Sequence, residues 1–268
     1  MRTQTLIVSM FLLGTACDHG DPDRTARAGE VEVPQAETAQ AETPQAAVTP
    51  ESPPSLSREE LHALQPTVTR AGFPRFSTAA VNDPIVADVF LLRLEEGQES
   101  PEIRAALVAA LPRTGGESAT RLVALLTSES DAKVRVSMMA AFERAPMAAA
   151  HQGLRAGLGD AQAQVRTQAA TSFAERSDAT ALLDDVIALM ADADPQVRAA
   201  AIRSVGLVAD ESHAQDVAQG LGDPDAKVRL EAVRALRRID KDGVAARVKF
   251  LLTDEDDTVR LAAQRLQP

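Results

Sequence analysis

The residues of this chain that could carry chemistry are one cysteine, four histidines and many charged side chains. The histidines are His19, His62, His151 and His213. They are far apart in sequence, so we expect no shared metal site among them. The sequence contains no glycine-rich phosphate loop, no paired metal-ligand motif and no serine or cysteine nucleophile with an evident base. These features predict a protein that is not an enzyme and that carries no cofactor or metal.

Charged residues of one kind recur at regular intervals. A valine or isoleucine followed by arginine recurs in a regular series of six pairs, and the steps between these pairs are 31, 31, 32, 31 and 31 residues. The six arginines are Arg104, Arg135, Arg166, Arg198, Arg229 and Arg260. The one longer step indicates an extra residue in the turn near Ser177. A period of this length predicts a solenoid, in which each unit buries its apolar face against its neighbours.

Apolar residues give each unit a helical period. In the fourth unit Val197, Ala201 and Val205 share one face, because a helix has about 3.6 residues per turn. An earlier apolar column consists of Leu92, Val123, Leu154, Val186, Val217 and Val248. This column marks a second helix in each unit. In the six units in turn, that helix ends near Leu94, Leu126, Leu158, Met190, Leu221 and Leu252. Each unit is predicted to hold two antiparallel helices, A and B, in an all-α fold.

The turn between the two helices has a polar pattern of its own. The helix-capping position is occupied by Ser100, Asp131, Gln162, Asp194, Asp225 and Asp256. Proline follows as the first helical residue at Pro101 and Pro195, where it costs nothing. A nearly continuous acidic column comprises Gln98, Glu129, Asp160, Asp192, Asp223 and Asp254. We expect these acids to favour the helix N-termini and to pair with the repeated arginines of their own or the adjacent unit.

The repeated pattern resembles a known family. Asp194, Val197-Arg198 and Ala201 form a motif that returns from Asp225 and from Asp256, and it is similar to the short HEAT-like repeats that include the phycobilisome-lyase type. The resemblance covers about residues 83–268 and implies a right-handed α-solenoid of about six two-helix HEAT-like repeats. It implies no particular function, because this architecture serves scaffolds, adaptors and a few enzymes.

The N-terminus has the features of an export signal. Arg2 precedes an apolar run from Leu6 to Leu13 that is too short to span a bilayer, and small residues lead to Cys17. This arrangement resembles a bacterial lipoprotein signal peptide over residues 1–16, which implies acylation of Cys17 and a stable lipid anchor. Gly14 departs from the family, which usually has an aliphatic residue there. An ordinary signal peptide cleaved near Ala16 is the alternative. The lipoprotein interpretation predicts a lipid anchor in the bacterial envelope, with the choice of membrane open.

Two segments separate the signal from the repeats. Residues 17–56 are acidic and too poor in apolar residues to fold, which predicts a disordered tether. Residues 57–82 begin with a capping box of Ser57 and Glu60, flanked by a staple of Leu56 and Leu61, and continue with Phe73 and Phe76. The two phenylalanines are interpreted as a cap over the first apolar helix of the repeat domain at 83–268, or alternatively as a ligand-binding pair.

A basic row is the candidate binding surface. Six positions after each Val or Ile, opposite the apolar face, the last three units carry Arg203, Arg234 and Arg265, with Arg237 and Arg238 close by. The row could dock an acidic peptide or protein surface, or it could be a solvated face balanced by acids such as Glu231.

Composition narrows the choice of partner. A formal net charge of −11 and few aromatic residues argue against nucleic acid. We expect a monomer that acts as a protein-interaction scaffold or adaptor, lipid-anchored on the periplasmic or cell-surface face of an envelope membrane. The alternative is a HEAT-like enzyme or small-ligand sensor, such as a lyase-type tetrapyrrole handler.

Overall fold

The computed structural model describes residues 57, 59–60, 63, 84–111, 116–176 and 178–268. The signal segment 1–16, Cys17, the tether 17–56, the Leu56 to Leu61 staple, Phe73, Phe76 and Ser177 lie outside the described residues. The capping box is observed: the Ser57 backbone N–H donates to Glu60 Oε2 at 2.8 Å, and the Glu60 N–H donates to Ser57 Oγ at 3.3 Å.

The first three repeats are pairs of continuous α-helices. They are α1 (Pro84–Glu96) with α2 (Pro101–Ala109), α3 (Gly116–Ser128) with α4 (Ala132–Phe142), and α5 (Met147–Leu158) with α6 (Ala163–Ala174). The predicted A and B helices of these units are therefore confirmed. Within the described residues the fold contains helices and turns but no strand.

The last three repeats have shorter A helices. Their α-helices are α7 (Leu183–Ala188) with α8 (Pro195–Val208), α9 (Ala214–Gln219) with α10 (Ala226–Ile239), and α11 (Val244–Arg247) with α12 (Asp257–Gln264). Each A helix in these repeats tightens into a 3₁₀ turn at its end, at Leu189–Ala191, Gly220–Gly222 and Lys249–Thr253. Such turns use the last carbonyl groups of a helix in shorter-range hydrogen bonds. The described repeats form the predicted all-helical solenoid.

The shared apolar seam is formed as the periodicity predicts. The repeated valine is fully buried at Val134, Val165, Val197, Val228 and Val259. In the last four units the residue four positions later is an alanine, and it is fully buried as well. In the final repeat Gln267 replaces the apolar residue of the other units, and its Nε2 donates to the Ala245 carbonyl at 3.1 Å. The polar side chain thus covers the seam of the last helix pair.

The B helices pack side by side in chain order. Gly206 of α8 lies close to Ala235 of α10, because a Cβ built on Gly206 would lie 2.4 Å from the Ala235 Cβ and 2.7 Å from its Cα. A residue without a side chain is therefore required at this crossing. The close packing makes α8, α10 and α12 a continuous surface that carries the basic row.

Candidate protein-interaction surface

Five of the six repeated arginines pair with an acid of the following repeat. Arg198 donates from Nε and Nη2 to both carboxylate oxygens of Asp223 in the next repeat, at 2.7 and 2.8 Å. Its Nη1 donates to the carbonyls of Asp192 and Ala193 in its own repeat, at 2.9 and 3.1 Å. All its donor groups are therefore used by the fold.

The same pairing recurs along the solenoid. The bidentate pairs are Arg104 with Glu129, Arg135 with Asp160, Arg166 with Asp192, Arg198 with Asp223, and Arg229 with Asp254. We call these five pairs the ladder. The sequence left open whether the arginines pair within or between units. In the structure each ladder arginine binds an acidic side chain of the following repeat. Within its own repeat it donates to backbone carbonyl groups.

Each ladder carboxylate also fixes its own turn. Asp192 Oδ1 accepts the Asp194 backbone N–H at 2.8 Å while it binds Arg166. The hydrogen bond from Arg166 is the main reason that the pKa of Asp192 is lowered, and the hydrogen bond from Arg229 lowers the pKa of Asp254 in the same way. At Asp160 burial would raise the pKa, but hydrogen bonds from Arg135 and from the backbone outweigh it and leave the pKa lowered. The ladder acids are held in their charged form.

The last arginine of the series has a different partner. Arg260 pairs with Asp257, three residues earlier on its own helix, and keeps the backbone bond to the Asp254 carbonyl at 2.6 Å. The side chains of Arg260 and Asp257 are 34% and 87% exposed. This pair is a surface ion pair, unlike the buried pairs of the ladder.

The predicted helix caps are confirmed at five of six positions. At these five positions the side chain accepts a hydrogen bond from a backbone N–H of the first helical turn; the residues are Ser100, Asp131, Asp194, Asp225 and Asp256. Gln162 occupies the predicted N-cap position of α6, but its side chain does not form the expected hydrogen bond there. Its longer side chain is a poor match for the short reach to the first turn, where serine, aspartate and asparagine are preferred.

The basic row is exposed, as the helical wheel predicts. Arg203 lies on α8, Arg234 lies on α10, and Arg265 directly follows the last residue of α12; all three are exposed. Arg203 Nη2 donates to Thr171 Oγ1 at 3.1 Å, and Arg234 Nη1 donates to Glu231 Oε1 at 2.6 Å. The Arg265 side chain forms no hydrogen bond or ion pair with any residue that the structure describes. The row therefore keeps donor groups that the fold does not use.

Depressions lie between the helices that carry the row. One of about 420 Å³ between α10 and α12 is lined by Arg234, Arg237 and Arg265 together with apolar residues. The apolar residues are Leu230, Val233, Leu261, Ala262 and Leu266. Arg203 lines a smaller depression of about 110 Å³ between α8 and α10. The structure thus gathers three of the five predicted arginines around one hollow and places Arg203 one repeat away.

Three features of this surface were not predicted from the sequence. Arg238 does not line the depression and instead donates to the Arg234 carbonyl at 3.4 Å. Glu231, the acid expected to neutralise the row, is buried and bonded to Arg234. The apolar lining by Leu230 and Leu261 was also not predicted, although each of these residues lies four positions before a row arginine.

The histidines within the repeats lie in separate places. His151 Nε2 is 3.4 Å from Asp178 Oδ2, and His213 Nδ1 is 3.3 Å from Asp210 Oδ1. Across the described part of the chain, no group of three or more potential ligands could hold a metal ion. Among the same residues, none of the helices combines the length and apolar character needed to cross a membrane.

Comparisons with known proteins agree with this architecture. The family model described as HEAT repeats matches residues 183–267. YibA of Escherichia coli superposes with a TM-score of 0.51 at 18% identity, over 79% of this chain and 75% of YibA. A computationally designed armadillo repeat protein for modular peptide recognition gives 0.44 at 17% identity, over 66% and 96%. No curated protein matches the chain. Residues 183–267 thus match HEAT repeats, and the structural comparison with YibA concerns the helical fold alone.

Proposed function

We propose that the chain is a HEAT-repeat lipoprotein that acts as a protein-interaction scaffold or adaptor in the bacterial envelope, without enzymatic activity. The observation that carries the binding role is the difference between the two sets of arginines. The ladder arginines use their donors within the fold, whereas Arg234 and Arg265 of the exposed row lie beside an apolar hollow and keep donor groups that the fold does not use. Guanidinium groups beside apolar surface suit recognition of an acidic protein segment.

The anchoring role is supported by the sequence. The apolar run before Cys17 is that of an export signal, and acylation of this cysteine would hold the repeats at a membrane of the envelope. Labelled palmitate should be incorporated into the full-length chain in bacterial cells and absent from the Cys17→Ser variant. Equal labelling of both would remove the anchor from the proposal.

The binding role is tested with a photo-crosslinking residue in intact cells. Leu261 and Phe250 are both exposed apolar residues of the last repeat, at 47% and 59%, but only Leu261 lines the hollow. A crosslinker at Leu261 should recover one reproducible envelope protein that a crosslinker at Phe250 does not. The product should disappear when Arg203, Arg234 and Arg265 are all replaced by glutamate. A product that survives this charge reversal would disprove the assignment of the row as the site.

A further inference from the structure

The hollow between α10 and α12 lies where two large side chains replace the small pair of the preceding helix crossing. At that preceding crossing, a Cβ added to Gly206 would lie 2.4 Å from the Ala235 Cβ. The equivalent residues of the next crossing are Arg237 and Leu266, and both line the hollow. Side chains of this size do not fit into a crossing that excludes a single Cβ, because protein interiors are close-packed. The last crossing is therefore wider, and it holds the hollow of about 420 Å³.

The hollow carries positive charge without a matching acid. Arg234, Arg237 and Arg265 line it, and among the described residues of its lining none is acidic. Arg234 donates from Nη1 to Glu231, which leaves its Nε and Nη2 without a partner in the described part of the chain. Arg237 and Arg265 are exposed, and no described residue pairs with either side chain. Three guanidinium groups therefore meet at one hollow with more free donors than one carboxylate can accept.

Apolar side chains lie among the same arginines. Leu261 is 47% exposed, and the half-buried Leu230 and Leu266 line the hollow with it. Pockets that combine an apolar lining with a few polar groups are typical of binding sites. A ligand that fills this one must bring negative charge and an apolar group to the same place.

The last residue of a protein chain meets this requirement. Its carboxylate and its side chain both leave the same Cα, so charge and apolar group arrive together. An internal residue of an extended segment brings only one side chain, and the side chains of its neighbours point to the opposite face. An acidic residue two positions before the terminus returns to the same face about 7 Å away and supplies a second negative charge. An α-helix brings a charged and an apolar side chain together only from residues three or four positions apart.

We propose that the hollow between α10 and α12 binds the C-terminus of an extended segment of a partner protein. The segment ends in an apolar residue and has an acidic residue two positions earlier. This rests on the proposed function and names the part of the partner that is recognised. The arginines pair with the two carboxylates, because a guanidinium can donate two parallel hydrogen bonds to a carboxylate. The terminal side chain packs among the leucines.

The test measures the binding of three labelled peptides to the full-length chain by fluorescence anisotropy. The first peptide ends in Glu-Ser-Leu with a free carboxylate, and the second has the same sequence with a terminal amide. The third continues after the leucine with Gly-Ser-Gly, so it keeps the charge of the first peptide but moves the carboxylate away from the leucine. The first should bind about tenfold more tightly than either other peptide, because only it places a charge-assisted hydrogen bond beside the buried leucine.

Variants show whether the hollow is responsible for this preference. The double variant Arg237→Ala/Arg265→Ala should bind the acid and the amide equally, and its fold should be retained because neither side chain has a partner in the described residues. The matched control is Arg238→Ala/Lys249→Ala, which removes two exposed cations of the same two repeats that do not line the hollow. This control should keep the tenfold preference.

The outcomes distinguish the terminal residue from other acidic ligands. Equal binding of the first and third peptides would show that an internal acidic segment is sufficient, whether extended or helical, and would overturn the proposal. Equal binding of the acid and the amide, no binding of any peptide, or a preference that survives in the double variant would also overturn it. In each of these cases, loss of the cellular crosslink on charge reversal would still support the proposed function.

Discussion

Arg198 and Asp223 are 25 residues apart in sequence and joined by two hydrogen bonds between consecutive repeats. Asp192, whose carbonyl accepts from the same arginine, binds Arg166 of the preceding repeat through its side chain. The turn at Asp192 is therefore hydrogen-bonded to the preceding repeat through Arg166, and Arg198 links it to the following repeat. In a solenoid, where stability is a sum of repeat and nearest-neighbour interface contributions, the ladder acts on the interface contribution.

Removing one ladder arginine should destabilise the solenoid. The Arg198 and Asp223 side chains are only 14% and 10% exposed, so Arg198→Ala leaves a largely buried carboxylate without its partner. We expect the free energy of unfolding to fall by about 3 kcal/mol, the usual cost of breaking a buried pair. Urea unfolding followed by circular dichroism measures the change.

Arg260→Ala is the matched control for this prediction. It removes an arginine at the equivalent position, whose partner Asp257 is on the surface. Exposed pairs contribute at most about 1 kcal/mol, so this variant should unfold close to the parent chain. Similar losses in both variants would show that the ladder is no more stabilising than a surface ion pair.

Acid should weaken the ladder. Hydrogen bonds from Arg166 and Arg229 lower the pKa of Asp192 and Asp254 in the folded chain. Groups with a depressed pKa stabilise the fold above the unfolded pKa, and this stability is lost as pH falls through the folded value. The free energy of unfolding should therefore be constant near neutrality and decline below about pH 4, where unfolded aspartates take up protons.

Urea titrations between neutral and acidic pH measure this dependence. Asp254→Asn removes one of the contributing carboxylates, and Arg166→Met removes the partner that lowers the pKa of Asp192. Both variants should lose less stability than the parent as the pH is lowered. Curves that run parallel to that of the parent would contradict the linkage between the ladder and acid sensitivity.

Local spacing predicts most of this fold, because caps, helix faces and turns depend on residues close in sequence. The positions of Asp225, Val228 and Ala232 were sufficient to identify a B helix and its start. The partner of each repeated arginine was not determined, since acids in two adjacent turns are compatible with the same spacing. That choice depends on how one repeat lies against the next.

The candidate surface was predicted only in part for a related reason. A helical period places Arg203, Arg234 and Arg265 on an exposed face, but it does not give the distance between neighbouring helices. The hollow beside Leu261 and the burial of Glu231 both arise from that distance.

Gly206 should be intolerant of a side chain. Alanine favours a helix over glycine by about 1 kcal/mol, yet the added Cβ would overlap the backbone of α10 at Ala235. Relieving this overlap requires the helices to separate, and overpacking commonly costs about 1–3 kcal/mol. Gly206→Ala should therefore lower the melting temperature. Gly222→Ala, where no atom lies within 4 Å of the added Cβ, should not. An unchanged Gly206→Ala protein would show that the crossing can widen without cost.

Gln162 offers the opposite case, a position where one substitution should stabilise the fold. Its backbone has φ −92° and ψ 123°, nearly the same as Asp225 with φ −88° and ψ 123°, whose side chain caps α10. The backbone is thus already arranged for a cap that glutamine does not form. Gln162→Asp should bond the first-turn N–H groups of α6 and raise the free energy of unfolding by about 1 kcal/mol. Asp225→Ala should lower it by a similar amount. Denaturation midpoints of the two variants should move in opposite directions, and a Gln162→Asp midpoint at or below that of the parent would show that the cap does not form.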